Sequence, residues 1–169
     1  MTGELVVRHP GLADAAAVHR LIRDTPGLDT NSAYLYALLC RDFADTCAVA
    51  VADGALAGVL TGYLRPADPG TYFAWQTAIA PAATHPDIAV RLYDLVLAAA
   101  AHPIERIEMS VDASNRAVKF LLSRLAKRYG AARTTELLFS TEQLGGDHYP
   151  ETLHTLHLPR AAEPRVAGG

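Results

Sequence analysis

No run of lysine and arginine occurs anywhere in these 169 residues: the 15 basic side chains are scattered, the 18 acidic ones outnumber them, and the formal net charge is -3. That balance argues against nucleic acid as the main partner, since nucleic acid is held chiefly through a basic face. No apolar stretch suits a bilayer either. The longest, from Ile88 to Ala101, is interrupted by Arg91 and Asp94, so no membrane partner is expected. No apolar segment of signal-peptide type precedes Glu4, so none is expected there. Cysteine is scarce: Cys40 and Cys47 lack metal-ligand spacing, and the reading is a reducing, cytoplasmic setting. His148, His154 and His157 are the one histidine cluster, but the last two fall three apart on an expected strand and point to opposite faces. No metal is expected. The last scarcity is local. The stretch Ala83-Thr84-His85-Pro86-Asp87 contains no glycine.

What is present reads as one soluble globular domain, with 50% hydrophobic and 20% charged residues. Residues 1-158 form that domain and 159-169 a disordered tail. The chain is organised around Phe73 to Ala101. Phe73–Ala80 has the composition of a strand, and after Pro81 the period changes, with Ile88, Leu92, Leu95 and Val96 at helical spacing. Thr84 or His85 is expected to cap that helix, with Pro86 in its first turn.

Before this unit come a strand Leu5–Arg8, a helix Leu12–Asp24, a helix Leu28–Phe43 capped near Thr30 or Asn31, and a hairpin of Ala48–Val51 and Leu56–Tyr63 across the Asp53-Gly54 turn. Arg65–Gly70 reads as a loop. After it come a strand Arg106–Val111, an amphipathic helix Ser114–Tyr129 ended by Gly130, and strands Thr135–Phe139 and Thr152–Leu158. The order β-α-α-β-β-β-α-β-α-β-β predicts an α/β domain with one mixed central sheet flanked by helices.

That order resembles the GCN5-related N-acetyltransferase fold, and particular residues narrow the likeness. Leu28-Asp29-Thr30-Asn31-Ser32-Ala33-Tyr34 with Tyr36–Cys40, then Phe43–Thr46, Thr61-Gly62-Tyr63, Asp68-Pro69, Phe73-Ala74-Trp75-Gln76, Ser114-Asn115 and Gly146-Asp147-His148 with Glu151 are similar to the diaminobutyrate acetyltransferase family of ectoine biosynthesis. The resemblance runs from about residue 5 to residue 158. It implies acetyl transfer from acetyl-CoA, as co-substrate, to one amine of a small diamino acid, in a homodimer.

A diamino acid needs acids for its ammonium groups, aromatic walls for its short chain and polar donors for its carboxylate. Asp29, Asn31, Tyr34, Tyr36, Trp75, His148 and Glu151 match the family pattern for that pocket. The attacking amine must be neutral, and its free pKa lies at about 10, so a base or water relay is required. His148, Glu151 and Tyr34 all qualify as that catalytic group. Cys40, inside an apolar helix, does not read as a nucleophile.

On the donor side, strand backbone at Ala78 and Ile79 and the side chain of Asn115 are the expected pantetheine contacts. The family's phosphate turn reads Arg-Gly-Gln-Gly, whereas Thr84, His85, Pro86 and Asp87 stand here. Pro86 lacks an N–H, His85 adds bulk where backbone should meet phosphate, and Asp87 adds a like charge. Weak acetyl-CoA binding is therefore expected, by contacts other than a glycine-rich loop. Two further readings keep the amino-acid pocket without acetyl-CoA: an enzyme of another reaction class, and a non-catalytic sensor or partner subunit.

Overall fold

The computed structural model describes residues 4–112 and 115–159. Its elements follow the expected order: β1 (Leu5–Arg8), α1 (Ala15–Arg23), α2 (Ala33–Asp42), β2 (Ala48–Ala52), β3 (Ala55–Arg65), β4 (Asp68–Ile79), α3 (Ile88–Ala99), β5 (Arg106–Val111), α4 (Arg116–Tyr129), β6 (Ala132–Phe139) and β7 (Glu151–His157). The strands form a single seven-stranded sheet in the order β1-β2-β3-β4-β5-β7-β6. All neighbours are antiparallel except β4 and β5. The α/β fold with a mixed central sheet is as the sequence predicts.

Each face of the sheet carries one apolar layer. Ile88, Leu92 and Val96 of α3 and Leu122 and Leu125 of α4 pack on Leu60, Tyr72 and Ile107. On the other face Ala15, Val18 and Ile22 of α1 and Tyr36 and Leu39 of α2 cover Val49, Val59 and Ala78. Each buried aliphatic side chain of this size contributes about 1.5–3 kcal/mol. The amphipathic spacing of each helix decides which of its own sides meets the sheet. The Asp53-Gly54 turn has positive φ at both positions, 52° and 76°, the geometry that matches the twist of a two-residue hairpin.

Helix starts differ from the sequence expectation. A short 3-10 turn, Leu12–Asp14, precedes α1. The second helix begins at Ala33, where the Ser32 hydroxyl accepts from the Leu35 N–H at 3.3 Å, and neither Thr30 nor Asn31 caps it. The third begins only at Ile88: Asp87 is its N-cap residue, with φ 64°, and neither Thr84 nor His85 serves. A proline disfavours helical geometry in the residue before it, which keeps His85 out of the helix. Asn115 caps α4 through its side chain, 3.2 Å from the Val118 N–H, while Ser114 lies outside the described residues. The expected loop Arg65–Gly70 shrinks to a tight turn, because β4 already begins at Asp68. Asp68 holds that end, accepting from Thr71 Oγ1 at 2.6 Å and from Arg106 Nη2 at 2.7 Å. Of the expected tail, residues 160–169 lie outside the described residues.

One irregularity positions the site. Thr61 pairs with Gln76 but Gly62 pairs with Ala74, so Trp75 is an extra residue on β4. A bulge of this kind bends its strand. Before it, Tyr72 and Ala74 belong to the α3 layer; after it, Ala78 belongs to the α1/α2 layer. Pairing with β5 covers only Thr71, Tyr72 and Phe73. From Ala74 to Ile79 the strand keeps β3 as a neighbour and leaves its other edge open.

Candidate active site

The gap opened by that divergence is a cleft of about 250 Å³. Its β4 wall is Ala74–Thr77, its β5 wall Met109–Val111, and one end is closed by the loop before α2. The loop's position follows from a buried chain of hydrogen bonds. Tyr36, fully buried, donates to Gln76 Oε1 at 3.0 Å and accepts from the Asn31 N–H at 3.3 Å. Gln76 Nε2 in turn donates to the Asp29 carbonyl at 2.7 Å. The sheet thereby fixes the backbone that carries Asp29 and Asn31 into the cleft.

Of the residues expected to meet the acceptor, Asp29, Asn31, Trp75 and Glu151 line this space together. Glu151, from the start of β7, accepts from Ser110 Oγ at 2.9 Å. Trp75 is 38% exposed, a cleft wall rather than a core residue. Tyr36 stands behind the lining, in the supporting position just described. Tyr34 is 73% exposed and His148 is exposed in the loop before β7; neither lines the cleft. Ala78 is buried under α1 and α2 and Ile79 packs against the α3 layer, so what these two offer the cleft is the open backbone edge of β4. Asn115 reaches the lining from the head of α4.

Sequence reasoning missed several participants. Gln76 lies within the family resemblance, but its two-way amide becomes legible only once α2 is placed over it. Ser110 and Asp112 also line the cleft; Ser110 falls on the same polar alternation of β5 as Arg106 and Glu108, so the strand's pattern does not single it out. Thr77 Oγ1 lies 3.0 Å from the hydroxyl of Tyr93, and burial pushes the Tyr93 phenol up, which keeps it neutral and unsuited to act as a base.

Other titratable groups lie away from the cleft. Burial pushes both thiols up, Cys40 and Cys47 each to about 11, so neither supplies a thiolate near neutral pH. His154 is buried and receives Arg133 Nη2 at 2.8 Å, whereas His157 faces outward and meets Thr134 Oγ1 at 2.8 Å. Among the described residues no three His, Cys, Asp or Glu side chains gather as a metal would require.

The turn before α3 is tied to α4. The Asp87 carboxylate makes no capping bond to its own helix. It pairs instead with Arg124 of α4, and the ion pair directs the side chain away from the helix amides.

The model of the acetyltransferase (GNAT) family matches residues 15–126, a span that takes in both walls of the cleft. The chain belongs to this family. Within the GNAT acetyltransferases it is 38% identical over 167 residues to L-2,4-diaminobutyric acid acetyltransferase of Nocardia farcinica, covering 96% of this chain and 84% of the relative. It is also 38% identical to the enzyme of the same name from Halomonas elongata, over 88% of this chain and 79% of that one. A solved structure of diaminobutyrate acetyltransferase from Paenibacillus lautus, in complex with L-2,4-diaminobutyric acid and coenzyme A, superposes with a TM-score of 0.85 at 32% identity, covering 92% of this chain and 96% of the other. No described helix of this GNAT chain is long and apolar enough to cross a membrane.

Proposed function

We propose that this chain is an N-acetyltransferase that moves an acetyl group from acetyl-CoA to one amine of a small diamino acid of the 2,4-diaminobutyrate type. The observation that carries the reading is the convergence of Asp29, Trp75 and Glu151 on one small cleft beside an open strand edge. Two carboxylates and an indole suit a short chain with two ammonium groups. The kinship with diaminobutyrate acetyltransferases supports the same acceptor.

Acetyl-CoA supplies an acyl carbon on a thiol leaving group. The unpaired edge of β4 from Ala74 to Ile79 fits an amide-bearing pantetheine arm, because its N–H and C=O groups have no strand partner. Asn115 stands at the far side of the same cleft. The turn Thr84–Asp87 fits phosphate poorly, for Pro86 has no N–H and Asp87 bears a carboxylate.

On the acceptor side, Asp29 holds one ammonium group and Trp75 orders the short aliphatic chain. Glu151, steadied by Ser110, takes the proton from the amine that reacts, directly or through one water. Of the three groups that suit this role by type, Glu151 is favoured because it alone borders the cleft. Tyr34 and His148 are left to contact the acceptor from the cleft mouth.

Residues 1-158 act as the single catalytic domain, and 159-169 as an extension that the reaction does not need. The exposed strand β6 supports a homodimer, and two buried free thiols suit a reducing cytoplasm. The direct test is release of free thiol from acetyl-CoA in the presence of L-2,4-diaminobutyrate, with the acetylated product identified by mass. Turnover on that amino acid but not on 2-aminobutyrate, which lacks the second amine, is expected. Absence of acetylated product at millimolar acceptor and donor would overturn the reading.

A further inference from the structure

A second cavity, of about 710 Å³ and open to solvent, lies between α3 and α4 on the outer side of the Pro86-Asp87 turn. Its lining holds four cations, Arg91, Arg124, Lys127 and Arg128, against two carboxylates, Asp87 and Asp94. The cleft is therefore net positive on a chain whose net charge is -3. Asp94 is already committed: Arg128 Nη2 donates to one of its oxygens at 2.9 Å and the Tyr129 hydroxyl to the other at 2.8 Å. Asp87 is committed to Arg124. Phe120, 67% exposed, presents its ring beside these cations, with the Arg124 guanidinium carbon 5.9 Å from its centroid.

We propose that this cleft holds the phosphate ester of the pantetheine donor, and that Arg124 replaces the missing glycine-rich turn as its principal ligand. Asp87 is the resident anion that the phosphate displaces. The inference rests on the acetyltransferase reading for the identity of the donor. Three features argue for it together. The Asp87 side chain leaves its own helix terminus to reach Arg124, although a terminal carboxylate is normally favoured at the helix amides. A guanidinium offers a planar fork that grips carboxylate and phosphate alike, so exchanging one for the other needs no rearrangement of α4. The cleft also adjoins the turn at which the β4 edge ends, so an arm lying along that edge emerges beside it.

The test is calorimetric titration with coenzyme A, 4′-phosphopantetheine and pantetheine, on the wild type and on Asp87→Asn, Arg124→Gln and the double variant. Asparagine tolerates the positive φ of residue 87, and thermal melts confirm that each variant is folded. Asp87→Asn should bind coenzyme A more tightly, and Arg124→Gln more weakly, each on the order of tenfold. In the Arg124→Gln background the gain from Asp87→Asn should vanish, which separates a specific latch from the mere loss of a negative charge. Pantetheine should be indifferent to all three changes. The same gain with 4′-phosphopantetheine would assign the cleft to the phosphate next to the arm, as a carrier-bound donor would present it. A gain with coenzyme A alone would assign it to the nucleotide phosphates.

An unchanged affinity in Asp87→Asn, a gain that persists without Arg124, or no binding by any variant would overturn the proposal. The functional reading fails separately. Acetylation of the diamino acid with no dependence on Asp87 or Arg124 sinks only the cleft, and Arg124-dependent binding without any acetylated product sinks only the acceptor assignment.

Discussion

Two side chains divide the labour at the end of the cleft proposed to take the acceptor. Trp75 is a wall, 38% exposed and set outward by the extra residue of the β4 bulge. Its replacement by alanine leaves no sealed cavity, so the loss of stability should fall well short of the 3–5 kcal/mol typical of a buried aromatic. Acceptor binding should be lost. A thermal melt beside an amino-acid titration reads both, and a collapse of the melt with binding retained would reverse the assignment. Tyr36 is the opposite case, fully buried in the layer under α1 and α2, with its hydroxyl tied to Gln76 and to the Asn31 N–H of the loop. Tyr36→Phe strands the Gln76 carbonyl oxygen and the Asn31 N–H, at a cost of about 1–3 kcal/mol. Because that loop carries Asp29, KM for the acceptor should rise more than kcat falls. Chemical denaturation and steady-state kinetics check the two halves, and an unchanged KM would detach the loop from the tyrosine.

At the scale of elements, the bulge that opens the cleft depends on close approach across β3 and β4. A Cβ at Gly62 would meet the Tyr72 hydroxyl and the Phe73 carbonyl oxygen. Tyr72 cannot simply retreat, since its hydroxyl donates to the Thr46 carbonyl at 2.9 Å inside the core. Gly62→Ala should therefore cost about 1–3 kcal/mol, the usual penalty of overpacking, and should disturb donor and acceptor binding together by shifting Trp75. Urea denaturation with parallel titrations reads this; a variant as stable as wild type would show that the bulge adapts freely.

The same strand marks the limit of what was legible in the sequence. Strand and helix order followed from apolar period, and the pocket residues from their match to a family pattern. The bulge is invisible there, because Phe73–Ala80 alternates plausibly with or without an extra residue, and register depends on the partner strand. Helix starts slipped for a similar reason. Thr30, Asn31, Thr84 and His85 all have capping or turn chemistry, and tertiary contacts chose Ser32 and Asp87 instead. Tyr34 and His148 match the family by position yet lie outside the cleft lining, while Gln76 and Ser110 line it, since side-chain direction depends on packing that a linear pattern does not carry.

For the molecule as a whole, the telling element is β6. It is the outer strand of the sheet, paired only to β7, and none of its eight residues is buried. Leu137 is 65% exposed and Phe139 43%. A free edge is ordinarily blunted by charge or proline, but Ala132–Phe139 carries only Arg133 and Glu136 as charges and no proline. The homodimer proposed above would cover this edge with a second copy, because a two-fold axis lets one strand meet its own equivalent. For that homodimer the expected mass in solution is twice the 18.1 kDa of one chain. Leu137→Lys places two like charges across that axis and should yield monomers in sedimentation equilibrium. The site should register the change, for Phe139 pairs with Glu151 in the β6–β7 register, and Glu151 is the group assigned to take the amine proton. Dissociation should therefore lower kcat while coenzyme A affinity, set on the far side of the cleft, stays constant. A wild-type chain that sediments as a monomer at tens of micromolar, or a Leu137→Lys variant that stays dimeric, would remove β6 as the interface.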